Sequence, residues 1–304
     1  MSNQYSIGTL GTPWCADEKQ AWYQQQQIQR SYQENVISRV EELHGVCEVE
    51  EYGVLAYEAG TYRLFALKNK HFNPQHPTIL VTGGVHGYET SGVMGALKFA
   101  EHYLEQYSSQ YNFIILPCIS PWGFETINRW NPEAIDPNRS FYANSPANES
   151  RLAMEYIAAY EGDIIAHIDL HETTDTDNSE FRPALAARDG KVNHNWNIPD
   201  GFYLVGHTQK PEPEFQKRII DEVKKVTHIA DADENGQLIG VDLEQFGVIN
   251  YDGTKLGLCM GMTDAPFVTT TEVYPDSQNT TSEECNDGQV ASILGVIAFL
   301  SNRN

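Results

Sequence analysis

Short apolar runs alternate with stretches of helical spacing along most of the chain. Thr78–Thr82 reads as a buried strand, Ser91–Tyr107 as a helix and Phe113–Ile119 as a second apolar strand. The pattern then repeats. Helical spacing over Arg151–Tyr160 precedes a strand over Asp163–His171, and a strand at Phe202–Gly206 precedes a helix over Glu212–Ala230 with its charges on the outer face. A strand from Phe267 and a closing helix over Gly288–Leu300 end the series. Strands and helices in alternation predict an α/β fold, with a sheet covered by helices on both faces. The beginning differs. Ala16–Leu43 is a polar helical stretch that reads as a solvated surface helix. Cys47–Asn69 is rich in β-branched and aromatic residues and is broken at Gly53 and Ala59-Gly60, which predicts two or three short antiparallel strands. No linker composition interrupts the chain. The expectation is one domain over 1–304, with an N-terminal elaboration over 1–75 packed on a core over 76–304.

Composition narrows the function. The chain has 304 residues, of which 40% are hydrophobic, so disorder throughout is excluded. It carries 42 acidic and 20 basic residues, a formal charge of −22, which would repel a phosphate backbone and argues against nucleic-acid binding. The five cysteines stand singly, so neither a disulfide framework nor a thiolate zinc site is expected. MSNQYSIGTLG lacks the basic flank and apolar run of a signal peptide, and no apolar run reaches the length of a membrane span. A soluble, cytoplasmic protein without membrane partners is expected.

In open α/β sheets, ligands gather at the carboxyl ends of strands. After Thr78–Thr82 comes Gly83-Gly84-Val85-His86-Gly87-Tyr88-Glu89; Asp163–His171 ends in His171, followed by Glu172; and Phe267–Thr271 is followed by Glu272. Two histidines and a carboxylate with a fourth position open form a common catalytic zinc shell. In a first helical turn, positions i and i+3 project to one side, so His86 and Glu89 can face one ion. His86 as a polar loop residue and Glu89 as a helix N-terminal acid remain the alternative. His167, Asp169 and His171 share one face of their strand, and Asp169 is placed to orient an imidazole. Asn138-Arg139 reads either as a carboxylate-gripping pair or as a turn beside a surface base.

Taken together, His86-Gly87-Tyr88-Glu89, Asn138-Arg139, His171 and Glu272 resemble the zinc carboxypeptidase family, over about residues 79–275. The resemblance implies a mixed, mostly parallel sheet and one zinc per chain, held by His86, Glu89 and His171. It implies Glu272 as general base and later proton donor, Arg129 polarising the scissile carbonyl, and Asn138 and Arg139 binding a substrate carboxylate. Ser120-Pro121-Trp122-Gly123-Phe124 resembles the family's Asn-Pro-Asp-Gly-Phe segment with two replacements. Tyr251, 21 residues before Glu272, resembles a mobile substrate-contacting tyrosine and is expected in a loop. The histidines are 85 residues apart, shorter than in digestive members, and Asp169-Leu170-His171-Glu172-Thr173-Thr174 is similar to the aspartoacylase and succinylglutamate desuccinylase branch. The implied function is a zinc metallocarboxypeptidase acting on a peptide; the alternative is an N-acyl amino acid deacylase.

Two acidic clusters carry further expectations. Glu172, Asp175, Asp177 and Glu180 follow His171 and suit a solvated loop, a site for a basic substrate group or a second metal. Asp231–Asp242 matches a calcium loop in spacing but ends in Asp, and an acidic turn is the expected reading. Thr269–Thr271 are expected to leave a sheet edge polar near the reacting water.

Overall fold

The computed structural model describes residues 5–303. Ten strands form: β1 Glu48–Tyr57, β2 Gly60–Lys68, β3 Thr78–Gly83, β4 Asn112–Leu116, β5 Ile164–Glu172, β6 Tyr203–His207, β7 Gln237–Leu238, β8 Val241–Asp242, β9 Val248–Tyr251 and β10 Phe267–Val273. Eight of them make one mixed sheet in the order β1-β2-β4-β3-β5-β10-β6-β9. Its centre, β4-β3-β5-β10, is parallel, while β2 runs antiparallel to β4 and β6 antiparallel to β10.

The parallel strands are largely buried because helices cover both faces. β3 and β4 are buried at every position. On one side Thr90–His102, Pro213–Val223 and Ser282–Ser301 pack against Ile79, Val81, Phe113, Ile168 and Leu170. On the other, Leu80, Ile114, Leu116, Val205 and Ile249 meet Ala153, Ile157 and Met260. The chain passes from β3 to β4 on one side and returns to β5 on the other, so β3 lies at a switch point. A crevice opens there beyond the carboxyl ends of β3 and β5.

Several boundaries differ from the sequence reading. The stretch Ala16–Leu43 is broken into a helix at Ala16–Tyr23, an irregular segment, a π-helical turn at Gln33–Ile37 and a short helix at Ser38–Glu42. It is not a solvated face: Trp22, Tyr32, Val36, Ile37, Val40 and Leu43 are buried. The irregular segment exists because Gln29 and Arg30 donate their backbone N–H groups to Glu125 O, and Tyr32 N–H bonds the Glu125 carboxylate. Cys47–Asn69 forms two antiparallel strands, within the expected two or three but longer than expected, with a bulge between Glu51 and Gly53. β2 pairs with β4, so the hairpin extends the main sheet instead of lying on it. The helix expected over Ser91–Tyr107 breaks at Tyr103, and β4 stops before Pro117, which lacks a donor for the ladder. β10 runs on through Glu272 and lies inside the sheet, so Thr269–Thr271 form no edge; Thr269 bonds Gln216 and Thr271 bonds Gln289. Helices at Pro121–Thr126 and Arg182–Arg188 and strand β9 have no counterpart in the sequence reading.

Asp231–Asp242 folds as the small β7–β8 hairpin. Asp233 accepts the N–H groups of Asn235 and Gln237, and Asp242 accepts from the Gln237 amide, so these oxygens serve an acidic turn. Among the described residues no helix is long and apolar enough to cross a membrane.

One buried acid ties the hairpin to the core. Glu149 accepts from the Tyr57 hydroxyl and, at 3.3 Å, from Asn131 Nδ2. Burial pushes its carboxyl up to about 7, against the pull of those two donors. The native state therefore binds this proton more tightly than the unfolded chain, and stability falls as pH rises from about 4.5 to about 7. Glu149→Gln, which cannot ionise, should gain roughly 2–3 kcal/mol relative to wild type between pH 5 and pH 8. Urea unfolding at both pH values reads this directly; a pH-independent difference would show that Glu149 does not titrate in that range.

Candidate functional site

The chain must turn sharply after β3. Gly84 takes a left-handed φ of +59°, and at Gly87 a Cβ would lie 2.0 Å from Phe124 N. Glycine at 87 thus lets the turn press against the helix Pro121–Thr126, whose Ser120 hydroxyl also bonds Val85 O at 2.7 Å. The Ser120–Phe124 segment acts as a backing plate. The turn delivers His86 and Glu89 to the crevice, and Glu89 occupies the N-cap position of the helix Thr90–His102.

From β5, His171 meets them. Donor atoms of His86, Glu89 and His171 lie within 4.8 Å of one another, and all three side chains are buried. Glu89 Oε1 is 2.7 Å from His86 Nδ1, and Oε2 is 2.6 Å from His171 Nδ1. The other ring nitrogens are held from behind. His86 Nε2 lies 3.0 Å from Asp136 Oδ1, and His171 Nε2 lies 2.7 Å from Asp169 Oδ2. Carboxylates that grip the outer nitrogens fix both rings with Nδ1 aimed at a common point. Burial opposes ionisation of Glu89, but the two imidazoles hold its carboxyl well below the usual range. Glu89 Oε2 is buried with no hydrogen-bond donor in line. Two imidazole nitrogens converging on the two oxygens of one ionised, buried carboxylate fit a divalent ion.

Glu272 lies beside His171 in the β5–β10 register. The Thr173 hydroxyl donates to Glu272 Oε2 at 2.9 Å and takes up the Tyr203 hydroxyl at 2.8 Å. Burial, reinforced by the charge of Glu89, pushes Glu272 up to about 8, while His171 and Thr173 pull the other way. That is the range suited to a group that takes and returns a proton near neutral pH.

The crevice has a volume of about 260 Å³, and its walls include Arg129, Asn138, Arg139, Tyr251 and Glu272. Asn138 Oδ1 accepts the Cys259 N–H at 2.7 Å, which leaves its amide nitrogen 3.4 Å from His171 Nε2. Arg139 Nη1 donates to the Asn138 carbonyl at 2.7 Å, its one side-chain hydrogen bond among the described residues. Arg129 is anchored by Asp136 Oδ2 at 3.1 Å. Tyr251 is the last residue of β9, not a loop residue as expected, though it does line the crevice.

Asp136, Thr173, Tyr203 and Arg182 escaped the sequence reading. Asp136 binds His86, Arg129 and the Asn138 N–H together. Its signal was its place two residues before Asn138. Arg182 lines the crevice from a helix the sequence did not announce. The acids after His171 are dispersed. Glu172 caps Thr90 N and Ser91 N, Asp177 takes Thr174 N and the Tyr88 hydroxyl, Asp175 takes the Tyr274 hydroxyl, and Glu180 takes the Tyr5 hydroxyl. Among the described residues, His86, Glu89 and His171 form the one cluster of metal-ligand spacing.

Comparison with solved structures places this architecture. The fold is that of the metallocarboxypeptidases. A proposed metallopeptidase from Shewanella denitrificans matches with a TM-score of 0.65 at 15% identity, over 86% of this chain and 88% of the other. The metallo-carboxypeptidase from Burkholderia cenocepacia matches with a TM-score of 0.61 at 14% identity, over 89% and 69%. The metallo-carboxypeptidase from Pseudomonas aeruginosa, solved with (2-guanidinoethylmercapto)succinic acid, matches with a TM-score of 0.59 at 15% identity, over 88% and 68%. Residues 75–198 match the model of the succinylglutamate desuccinylase/aspartoacylase catalytic domain. Both branches of the sequence resemblance are thus supported, and the fold is that of hydrolytic enzymes. Curated proteins give no match by sequence.

The close approach at Gly87 yields a test. Gly87→Ala should destabilise by about 3 kcal/mol or more, since a methyl group cannot enter the space of a backbone nitrogen. Gly45→Ala, where a Cβ meets nothing within 4 Å, serves as control. Equal unfolding midpoints for the two variants would refute the packing argument.

Proposed function

We propose that the protein is a zinc-dependent metallocarboxypeptidase that hydrolyses a peptide or amide bond beside a free carboxylate. The supporting observation is the inward convergence of His86 Nδ1, His171 Nδ1 and Glu89, with Glu272 on the adjacent strand. His86, Glu89 and His171 would hold the ion. A zinc bound there supplies Lewis acidity and lowers the pKa of its water to roughly 7.

The chain's residues do the rest. Glu272 accepts a proton from the attacking water and passes it to the leaving nitrogen. Arg129, fixed by Asp136, presents its guanidinium to the developing negative charge on the carbonyl oxygen. Arg139 meets the substrate carboxylate with a planar fork, and the Asn138 amide lies alongside. Tyr251 closes the wall over the bound substrate. A deacylase acting on N-acyl amino acids needs the same groups, and the match of residues 75–198 favours that second reading. A panel of peptides and N-acyl amino acids, assayed with zinc, separates the two.

Elemental analysis should find about one zinc per wild-type chain and a loss of zinc in His171→Ala. Glu272→Gln should retain zinc and lose about 10²–10⁴ in turnover. Near-normal turnover in that variant would remove Glu272 from the reaction, and lost zinc would make it a ligand. Arg139→Met should lower kcat/KM for free-acid substrates by about 10–100-fold, the worth of a charge-assisted hydrogen bond. Equal cleavage of amidated and free-acid substrates by the wild type would refute the carboxylate-binding role.

A further inference from the structure

The turn that carries two of the three candidate ligands is held from outside the catalytic core. Arg30 comes from the irregular segment after the helix Ala16–Tyr23 and reaches under the turn. Its Nη2 donates to Gly87 O at 2.8 Å, its Nη1 to Thr90 Oγ1 at 2.7 Å, and its Nε to Phe124 O at 2.6 Å. The guanidinium carbon lies 3.6 Å from the centre of the Phe124 ring. Three bonds from one rigid plane fix three points at once, and a stacked ring sets the plane itself. Two of those points, Gly87 and Thr90, bracket Tyr88-Glu89, and Gly87 follows His86 directly. The backbone of the segment is in turn tied to Glu125 O through Gln29 N and Arg30 N.

Other groups hold the turn at its ends and through its side chains: the Ser120 hydroxyl bonds Val85 O at 2.7 Å, and the Tyr88 hydroxyl bonds Asp177 at 3.0 Å. Glu89 N bonds His86 O and Tyr88 N bonds Asn128 O, each at 3.2 Å. Thr90 is gripped from both sides, by Glu172 at its N–H and by Arg30 at its hydroxyl. Arg30 pairs with no carboxylate among the described residues, so an ion-pairing role does not explain it. Its bonds all go to the turn and to the helix behind it.

We propose that Arg30 is a positioning residue of the metal centre, fixing the Gly87–Thr90 turn so that His86 and Glu89 present their donor atoms together. Residue 30 lies outside the matched family segment, residues 75–198, so the N-terminal elaboration completes the site rather than decorating it. The inference rests on the metal reading of His86, Glu89 and His171 given above.

The test measures zinc affinity of the full chain by competition with a chromophoric chelator, beside thermal unfolding of the metal-free protein. Removing a residue that orients ligands costs typically 10–100-fold in metal affinity. Arg30→Met should weaken zinc binding by about that factor, and Arg30→Lys, which keeps the charge but not the fork, should recover only part of it. Gln29→Ala removes a neighbouring bond to Thr126 O without touching the turn, and should bind zinc like wild type. A folded Arg30→Met protein with wild-type affinity overturns the proposal, as does an equal loss in Gln29→Ala, which would mean the segment only anchors the fold. If Arg30→Met fails to fold, Thr90→Val removes one acceptor and keeps the shape; a several-fold loss supports the proposal and wild-type affinity overturns it. Absence of zinc from the wild type would instead refute the metal reading itself.

Discussion

The concentration of buried carboxylates around two imidazoles is the constraint on which this structure depends. Glu89, Asp136 and Asp169 are each almost wholly inaccessible, and Glu272 lies close by. Buried charge is tolerated only when it is paired and hydrogen-bonded. Here His86 and His171 stand between the acids, Arg129 neutralises Asp136 from outside, and the Thr82 hydroxyl bonds Asp169 at 2.7 Å. The arrangement favours positive charge at its centre, where both Glu89 oxygens face imidazole nitrogens.

The sheet meets that demand by topology. Because β3 is flanked by β4 and β5 in parallel, the carboxyl ends of β3 and β5 open on one crevice, and β10 adds a third end beside β5. Strand periodicity puts His167, Asp169 and His171 on one face and Ile168 and Leu170 on the other, so the polar array and the apolar core share β5 without mixing. The helices then fix the loops. Thr90–His102 starts at Glu89, and Pro121–Thr126 backs the glycine turn. The N-terminal segment is built into this system. Tyr57 reaches Glu149, Tyr32 reaches Glu125, and Arg30 reaches the Gly87–Thr90 turn itself.

How much of this was legible in the residues depended on range. Alternating apolar runs and helical spacing gave the α/β class, because burial on both sheet faces leaves near-continuous apolar strands. His86, Glu89, His171 and Glu272 were legible because each stands next to a strand end, and such ends converge in folds of this class. The glycines around His86 were legible as a turn because only a residue without Cβ makes that approach. These are local facts, set by a few neighbouring residues.

Longer-range relations were decided by the tertiary structure alone. Asp136 is 50 residues from His86, and nothing in its neighbours says that it will support that ring. Tyr251 looked like a loop residue because the pairing of β9 with β6 depends on a partner some 44 positions away. The polar stretch Ala16–Leu43 shows helical spacing, yet its middle is irregular because Gln29 and Arg30 spend their N–H groups on Glu125, almost a hundred residues distant. Sequence by itself determined the buried strands β3, β4, β5, β6 and β10, the turn and the donor types, since those follow from steric and hydrophobic periodicity within a few residues. Which carboxylate backs which imidazole, and which arginine holds the turn, became definite only when the sheet closed and brought distant side chains within hydrogen-bond reach.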